Sequence, residues 1–407
     1  MQKRSSKKNK LVCAVCILAA LSLCLGGFFV FSPLTKAADG QNADGFIYSN
    51  ESYFVCGAVD GENFLSISAK SAILIEVGSG EVVFSKDPDT RMPMASTTKI
   101  MTALVALENC DPGKTVTVSA DATNIEGSSI YLYPEEQMTM LDLLYAMLLE
   151  SANDAAAAIA IEIGGDIEGF ASLMNKKAEA LGLTDTHFEN PHGLDGESHY
   201  TTARELAIIA REAYRNPTLR EIFSTYKRTI PLNGGDGVRL LINHNKLLKS
   251  YEGATGIKTG YTKKSGRCLV SAAERDGLEF IAVTLNAPDD WNDHKKMLDM
   301  GFERYEARQL CIAGEHIYTL PTVGAIEDHV FVAPARDIRV VTERGAGDVE
   351  CVFDIPRFVY APLGKGEVVG YLEFYLDGKL IAKTELISLE ALNGRREKGI
   401  FERIFGG

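Results

Sequence analysis

Between residues 65 and 308 the long strand-like stretches stand at the two ends and, apart from short strand-like pieces at Val116–Val118, Tyr226–Pro231 and Arg239–Ile242, the helical ones fill the middle. That order limits the fold more than any other feature of the chain. Ser71–Val77 is a β-branched apolar run, Gly78-Ser79-Gly80 a turn, and Glu81–Phe84 a second strand, so this piece reads as a hairpin. At the far end Arg267–Arg275 and Leu278–Asn286 are long apolar strands joined at Asp276-Gly277, a dipeptide typical of a two-residue hairpin turn. Between them, helices are expected from Ser96 to Asn109, Thr139 to Leu149, Ala155 to Ile163, Ile167 to Leu181 and Thr201 to Tyr214. In the second, Met140, Leu141, Leu144, Met147 and Leu148 repeat at helical spacing. A last helix is expected at about Asp293–Tyr305. One sheet built from both ends of the segment, with an all-helical insertion between, satisfies the pattern: an α/β (α+β) domain over residues 65–308.

After Arg308 the helical period stops. Short alternating runs follow at Asp337–Thr342, Glu350–Ile355, Val368–Leu376 and Leu380–Leu386, separated by Pro and Gly, with Asp377-Gly378 joining the last two. Residues 309–388 read as a small all-β domain. The flanks differ from both. Residues 3–10 are basic, Leu11 to Phe31 is apolar, and Thr35-Lys36-Ala37 is a small-residue site, the order of a secretory signal peptide over residues 1–37. The apolar stretch is also long enough to span a bilayer, so an uncleaved N-terminal anchor stands as the second reading. Either way the body is expected outside the cytoplasmic membrane. Residues 38–64 are a Gly/Asn/Asp/Ser-rich lead-in. In the tail, residues 389–407, Ile400, Phe401, Ile404 and Phe405 fall on one face among Arg395, Arg396, Lys398 and Arg403. That pattern resembles a short amphipathic segment on an anionic bilayer, with a frayed solvated tail interrupted by Gly394 and Gly399 as an equal alternative.

The net charge is −13, and without the six cations of residues 1–37 the rest carries −19, which argues against nucleic acid as a partner. Of eight cysteines, Cys56, Cys110, Cys268, Cys311 and Cys351 lie beyond the leader. They are odd in number, scattered, and without metal-like spacing, so neither a zinc site nor a disulfide framework is expected, and no cofactor is indicated.

Three polar stretches stand at element ends. Ser96 follows Arg91-Met92-Pro93-Met94 and opens an apolar run, and Lys99 is one turn on along the same face. A serine needs an adjacent base to become a nucleophile, and a lysine kept neutral by burial can be that base. Taken alone, the pair reads rather as a helix cap with a solvated lysine. Ser151-Ala152-Asn153 falls between two helices and offers a hydroxyl and a carboxamide to one cleft. Its plain alternative is a cap on the following helix. Lys258-Thr259-Gly260, read at the start of a strand, offers a cation, a hydroxyl and a close backbone approach, or else an edge-strand lysine before a bulge. The three stand in this order, 55 and then 107 residues apart.

As a set, Ser-x-x-Lys, Ser-x-Asn and Lys-Thr-Gly resemble penicillin-binding proteins and β-lactamases. The chain is most similar to the low-molecular-mass penicillin-binding proteins, serine-type D-alanyl-D-alanine carboxypeptidases. The likeness extends to Asn190-Pro191-His192-Gly193-Leu194-Asp195, to Tyr200-Thr201-Thr202-Ala203-Arg204-Glu205-Leu206 and to Asn243-His244-Asn245-Lys246-Leu247-Leu248. The resemblance implies a β-lactamase-like five-stranded antiparallel sheet covered by helices. It implies peptidoglycan stem peptides as substrate and β-lactam antibiotics as covalent inhibitors. Ser96 would attack the carbonyl between two D-alanines and Lys99 would take its proton. Ser151 would pass a proton to the leaving D-alanine, and Asn153 would hold the substrate amide. Lys258 and Thr259 would face the terminal carboxylate, and the N–H groups of Ser96 and of Tyr261, after Gly260, would form the oxyanion hole.

One departure stands out. Members of the family often carry an arginine just before the last helix, whereas this chain reads Asp289-Asp290-Trp291-Asn292-Asp293-His294. The rival readings are an endopeptidase cutting D-alanyl cross-links, a β-lactamase, and a wall-binding or penicillin-sensing protein without turnover. The β-lactamase is disfavoured by Ala152 in place of Asp and by the lack of a Glu-x-x-Leu-Asn stretch. Every motif residue is retained, which speaks against the last.

Overall fold

Asp276 (φ +49°) and Gly277 (φ +79°) both adopt left-handed backbone, the geometry of a tight hairpin turn that matches the twist of the strands it joins. In this computed structural model, which describes residues 52–55, 65–232 and 237–395, the turn sits at the heart of a five-stranded antiparallel sheet. The strands are β1 (Ser71–Glu76), β2 (Val82–Lys86), β3 (Ala254–Thr262), β4 (Gly266–Arg275) and β5 (Leu278–Leu285), in the order β2-β1-β5-β4-β3. The two ends of the segment meet where β5 pairs with β1, from Phe280 opposite Glu76 to Leu285 opposite Ser71. The sheet assembled from both ends is therefore the one the sequence order requires.

Among the described residues eight α-helices accompany it: α1 (Lys99–Asn109), α2 (Met140–Leu149), α3 (Asn153–Gly164), α4 (Ile167–Ala180), α5 (Ala203–Arg215), α6 (Pro217–Ser224), α7 (Leu247–Ser250) and α8 (Asp290–Arg304). Nine of the ten residues of α2 are buried, as expected of a helix apolar on nearly every side. In α3, Ala155 to Ala158 and Ala160 are buried, small enough for other elements to approach closely. Thr202 caps α5 by accepting from Glu205 N, as its position suggests. The Glu205 carboxylate does not complete a capping box. It accepts instead from the amides of Thr184 and Asp185. Helix α6, with Asn216 as its cap and Pro217 at its first position, has a start signal that sequence pattern alone did not single out.

The sheet has two different faces. Cys268, Val270 and Ala272 of β4 belong to the main core with the helical insertion. On the other face α8 packs, and His294 is buried between the hydroxyls of Ser271 (2.5 Å) and Thr284 (2.9 Å). Burial pulls His294 down to about 3, so it is neutral. Asp293 ties α8 to the chain entering β1, accepting from the amides of Ser68 and Ala69 and from the Ser68 hydroxyl.

A second unit takes in most of the chain after residue 307, together with Ser52–Val55. It is all-β. A six-stranded sheet runs in the order Glu350–Asp354, Val368–Leu376, Lys379–Ser388, His329–Pro334, Tyr318–Val323, Val359–Tyr360. Its own core includes Val330, Val332, Leu372, Phe374 and Leu386. Three of these strands lie in stretches where no alternation is evident in the sequence. Ser52–Val55, within the lead-in, forms a strand in a three-stranded sheet with Ile338–Glu343 and Tyr305–Cys311. The signal segment over residues 1–37 and the apolar face of the tail, Ile400, Phe401, Ile404 and Phe405, lie outside the described residues.

Candidate active site

Ser96 enters α1 through a single 3₁₀ turn, Ala95–Thr98, and its hydroxyl caps nothing. The turn is held from both sides. Ala95 takes φ +48°, costly for a residue with a Cβ, and its carbonyl accepts from Thr98 Oγ1 at 2.8 Å. Gly193, itself at φ +88°, packs so tightly on that carbonyl that a Cβ would lie 2.0 Å from the oxygen. His199 Nε2 lies 2.8 Å from Thr98 Oγ1. Since the hydroxyl proton goes to Ala95, His199 must donate from Nε2, which leaves Nδ1 to accept from Glu189 N. Burial, first of all, lowers His199 to about 4, consistent with that neutral ring.

Lys99 is fully buried. Its Nζ lies 3.0 Å from Ser96 Oγ, 2.7 Å from Asn153 Oδ1 and 2.6 Å from the His192 carbonyl oxygen. Burial, with the nearby Lys258 charge adding to it, holds its pKa well below 10.5. A neutral amine has two N–H donors and one lone pair. Asn153 and His192 take the two donors, and the lone pair is left for the Ser96 hydroxyl proton. The cap-and-solvated-lysine alternative is therefore not what the chain forms.

Asn153 opens α3 without capping it. Its Nδ2 donates to the Glu126 carbonyl (2.5 Å) and its backbone N–H to the Ser128 carbonyl (2.7 Å). That loop is fastened by Asp154, a buried carboxylate accepting from Ser129 Oγ (2.6 Å) and the amides of Ile130, Leu132 and Ala155. Ser151 stands between α2 and α3 in left-handed backbone (φ +59°), nearly buried, and its hydroxyl makes no hydrogen bond to the protein among the described residues. The hydrogen-bonded cluster thus joins Ser96, Lys99 and Asn153, with Ser151 beside Asn153 in the chain and outside the cluster.

Lys258-Thr259-Gly260 lies in the second half of β3 rather than at its start. Lys258 is 1% exposed, and burial lowers it to about 7. Its Nζ donates to the Thr259 carbonyl at 2.9 Å. Gly260 meets the serine turn directly: a Cβ there would sit 3.0 Å from Ser96 N and 3.1 Å from Thr97 N. Tyr261 follows with its side chain 65% exposed. Three features of the site have no signal of their own in a single sequence: the His192 carbonyl, the Gly193–Ala95 contact and the Asp154 anchor. His192 and Gly193 do lie in a stretch that carries the family resemblance. Among the described residues no group of three His, Cys, Asp or Glu side chains could hold a metal ion.

Residues 58–289 match the family model described as D-alanyl-D-alanine carboxypeptidase, and residues 305–393 match the C-terminal domain of penicillin-binding protein 5. A D-alanyl-D-alanine carboxypeptidase of Bacillus subtilis (strain 168), DacF, is 35% identical over 80% of this chain and 86% of its own length. DacA of Escherichia coli (strain K12), also a D-alanyl-D-alanine carboxypeptidase, is 31% identical over 80% of this chain and 84% of its own. Among solved structures, penicillin-binding protein 5 of Haemophilus influenzae superposes with a TM-score of 0.63 at 28% identity, covering 82% of this chain and all of that one.

Proposed function

The chain belongs to the D-alanyl-D-alanine carboxypeptidase family, and from that premise we propose that it removes the terminal D-alanine from peptidoglycan stem peptides through an acyl-enzyme on Ser96. The observation that carries the reading is the Lys99 amine, buried, 3.0 Å from Ser96 Oγ and with its two donors already directed to Asn153 and His192. Lys99 takes the hydroxyl proton as Ser96 Oγ bonds to the carbonyl carbon between the two D-alanines. The oxyanion that forms lies between the Ser96 and Tyr261 amides, a placement supported by the contact of Gly260 with Ser96 N. The C–N bond breaks, and the leaving amine gains a proton by way of the Ser151 hydroxyl, which no protein group engages among the described residues. Water then hydrolyses the ester to release the shortened peptide and free Ser96.

Asn153 keeps one Nδ2 hydrogen and one Oδ1 lone pair for the substrate's backbone amide. Lys258 and Thr259 contribute to binding the terminal carboxylate. A β-lactam presents a similar acyl group and carboxylate, so it esterifies Ser96 as well. Work on the cell wall places the body outside the cytoplasm. We read residues 1–37 as the export signal and residues 389–407 as a membrane-surface contact. No helix among the described residues is long and apolar enough to cross a membrane. The test is D-alanine release from a synthetic pentapeptide. The wild type should release it and Ser96→Ala should not, whereas penicillin labelling without release would favour a sensor and rapid penicillin turnover a β-lactamase.

A further inference from the structure

The stretch that opens α8 lacks an arginine, and Lys258 spends its ammonium partly on the Thr259 carbonyl. A substrate that ends in a free carboxylate still calls for a forked cation at that end of the cleft. The β3–β4 ladder places one there. Tyr261 pairs directly with Arg267, and Thr259 pairs with Leu269. Residues directly opposite share a face, and so do their diagonal neighbours two positions along, about 7–8 Å apart and within reach of a long side chain. Arg267 and Thr259 are such a diagonal pair, on the face opposite to core residues Cys268 and Val270. The Thr259 hydroxyl has no hydrogen-bond partner in the protein among the described residues.

Arg267 is also held in a manner suited to binding. One terminal nitrogen lies 2.9 Å from Asp290 Oδ1, a carboxylate only 3% exposed, while the arginine side chain is 41% exposed. Its guanidinium lies 5.8 Å from the centre of the Trp291 ring. Asp290 also accepts from Trp291 N at 2.9 Å, so its own position is fixed by the start of α8. A guanidinium has five N–H donors. Asp290 engages one end of the fork, and the side chain remains 41% exposed, diagonal to Thr259 across the ladder. An arginine in this state is well suited to a planar carboxylate.

We propose that Arg267, oriented by Asp290 and acting with the Thr259 hydroxyl, binds the terminal carboxylate of the substrate and sets the preference for a free C-terminus. The missing arginine of the α8 loop is thereby replaced from the neighbouring strand, and the acid at position 290 is its positioning residue. The proposal rests on the carboxypeptidase reading above.

The experiment compares one peptide ending in D-alanyl-D-alanine as the free acid with the same peptide as its C-terminal amide. The variants are Arg267→Gln, Arg267→Lys and Asp290→Asn in the full chain. The wild type should prefer the acid at least 10-fold in kcat/KM. Losing a charge-assisted contact should lower kcat/KM for the acid about 10- to 150-fold in Arg267→Gln, with the amide changed by less than about 3-fold. Arg267→Lys should recover part of the loss, which an unfolded variant could not. Asp290→Asn should raise KM for the acid more than it lowers kcat. A wild type indifferent to the amide, an Arg267→Gln variant that keeps the acid preference, or a parallel loss on both substrates that lysine does not rescue would overturn the proposal. A wild type that releases D-alanine from neither peptide would instead overturn the carboxypeptidase reading.

Discussion

Replacing Lys258 by methionine should remove part of the pH dependence of the catalytic unit's folding stability between pH 7 and 9.5, leaving the part due to the likewise depressed Lys99. Lys258 is 1% exposed, and burial lowers it from 10.5 to about 7. Below its folded value the ammonium is charged in both states, and the whole desolvation cost acts against folding. Between the two values the unfolded chain binds the proton and the folded chain does not, so wild-type stability climbs as pH rises. Above 10.5 the contribution is gone. A tenfold change in proton affinity is worth about 1.4 kcal/mol, and over pH 7 to 9.5 the linkage gives the wild type a gain of about 3 kcal/mol over Lys258→Met. The lost bond to the Thr259 carbonyl offsets every pH equally and leaves the slope alone. The chain's single tryptophan, Trp291, opens α8, so its fluorescence during urea unfolding reports on this unit. A difference between the two proteins that is constant from pH 7 to 9.5 would mean an ordinary lysine and refute the desolvated Lys258 amine.

Other outcomes follow from the same geometry. Gly193→Ala drives a Cβ to 2.0 Å from the Ala95 oxygen at φ +88°, so unfolding should be easier by about 2–5 kcal/mol and penicillin labelling at least about 10-fold slower; wild-type values for both would refute the contact. Asp154→Ala strands the amides of Ile130 and Leu132 and should cost about 2–5 kcal/mol in urea unfolding, with Asp154→Asn intermediate; a loss below about 0.5 kcal/mol would show that the carboxylate does not anchor the loop. Because Lys99 must be unprotonated to act as base, acylation should rise with pH and level off well below 10.5; a rate that keeps climbing to pH 10 would refute a neutral Lys99.

The sheet was legible because period-2 runs and the Asp276-Gly277 turn are local signals, and because two hairpins separated by helices leave few ways to close one sheet. The motif residues were legible as a set, each being ambiguous alone. What escaped was either backbone or packing. The His192 carbonyl carries no residue identity, and the demand for glycine at 193 comes from Ala95, almost a hundred positions away in the chain. Helix α6 is eight residues long and gave little periodicity to read. The strands Tyr318–Val323 and His329–Pro334 contain prolines and exposed polar residues that break the alternation. Arg267 looked like the first residue of an ordinary strand, and only its register opposite Tyr261 and its pairing with Asp290 set it apart.

Ser96 as the acyl acceptor is the claim on which the rest depends. The direct test is to react the protein with penicillin, digest it with trypsin and locate the adduct by mass spectrometry. Cleavage after Arg91 and, where the adduct allows it, after Lys99 isolates Met92 to Lys99. The penicilloyl mass should sit on Ser96 within that peptide and be absent from Ser96→Ala. An adduct on Thr97, Thr98, Ser151 or any residue outside the peptide, or undiminished labelling of Ser96→Ala, would contradict the account.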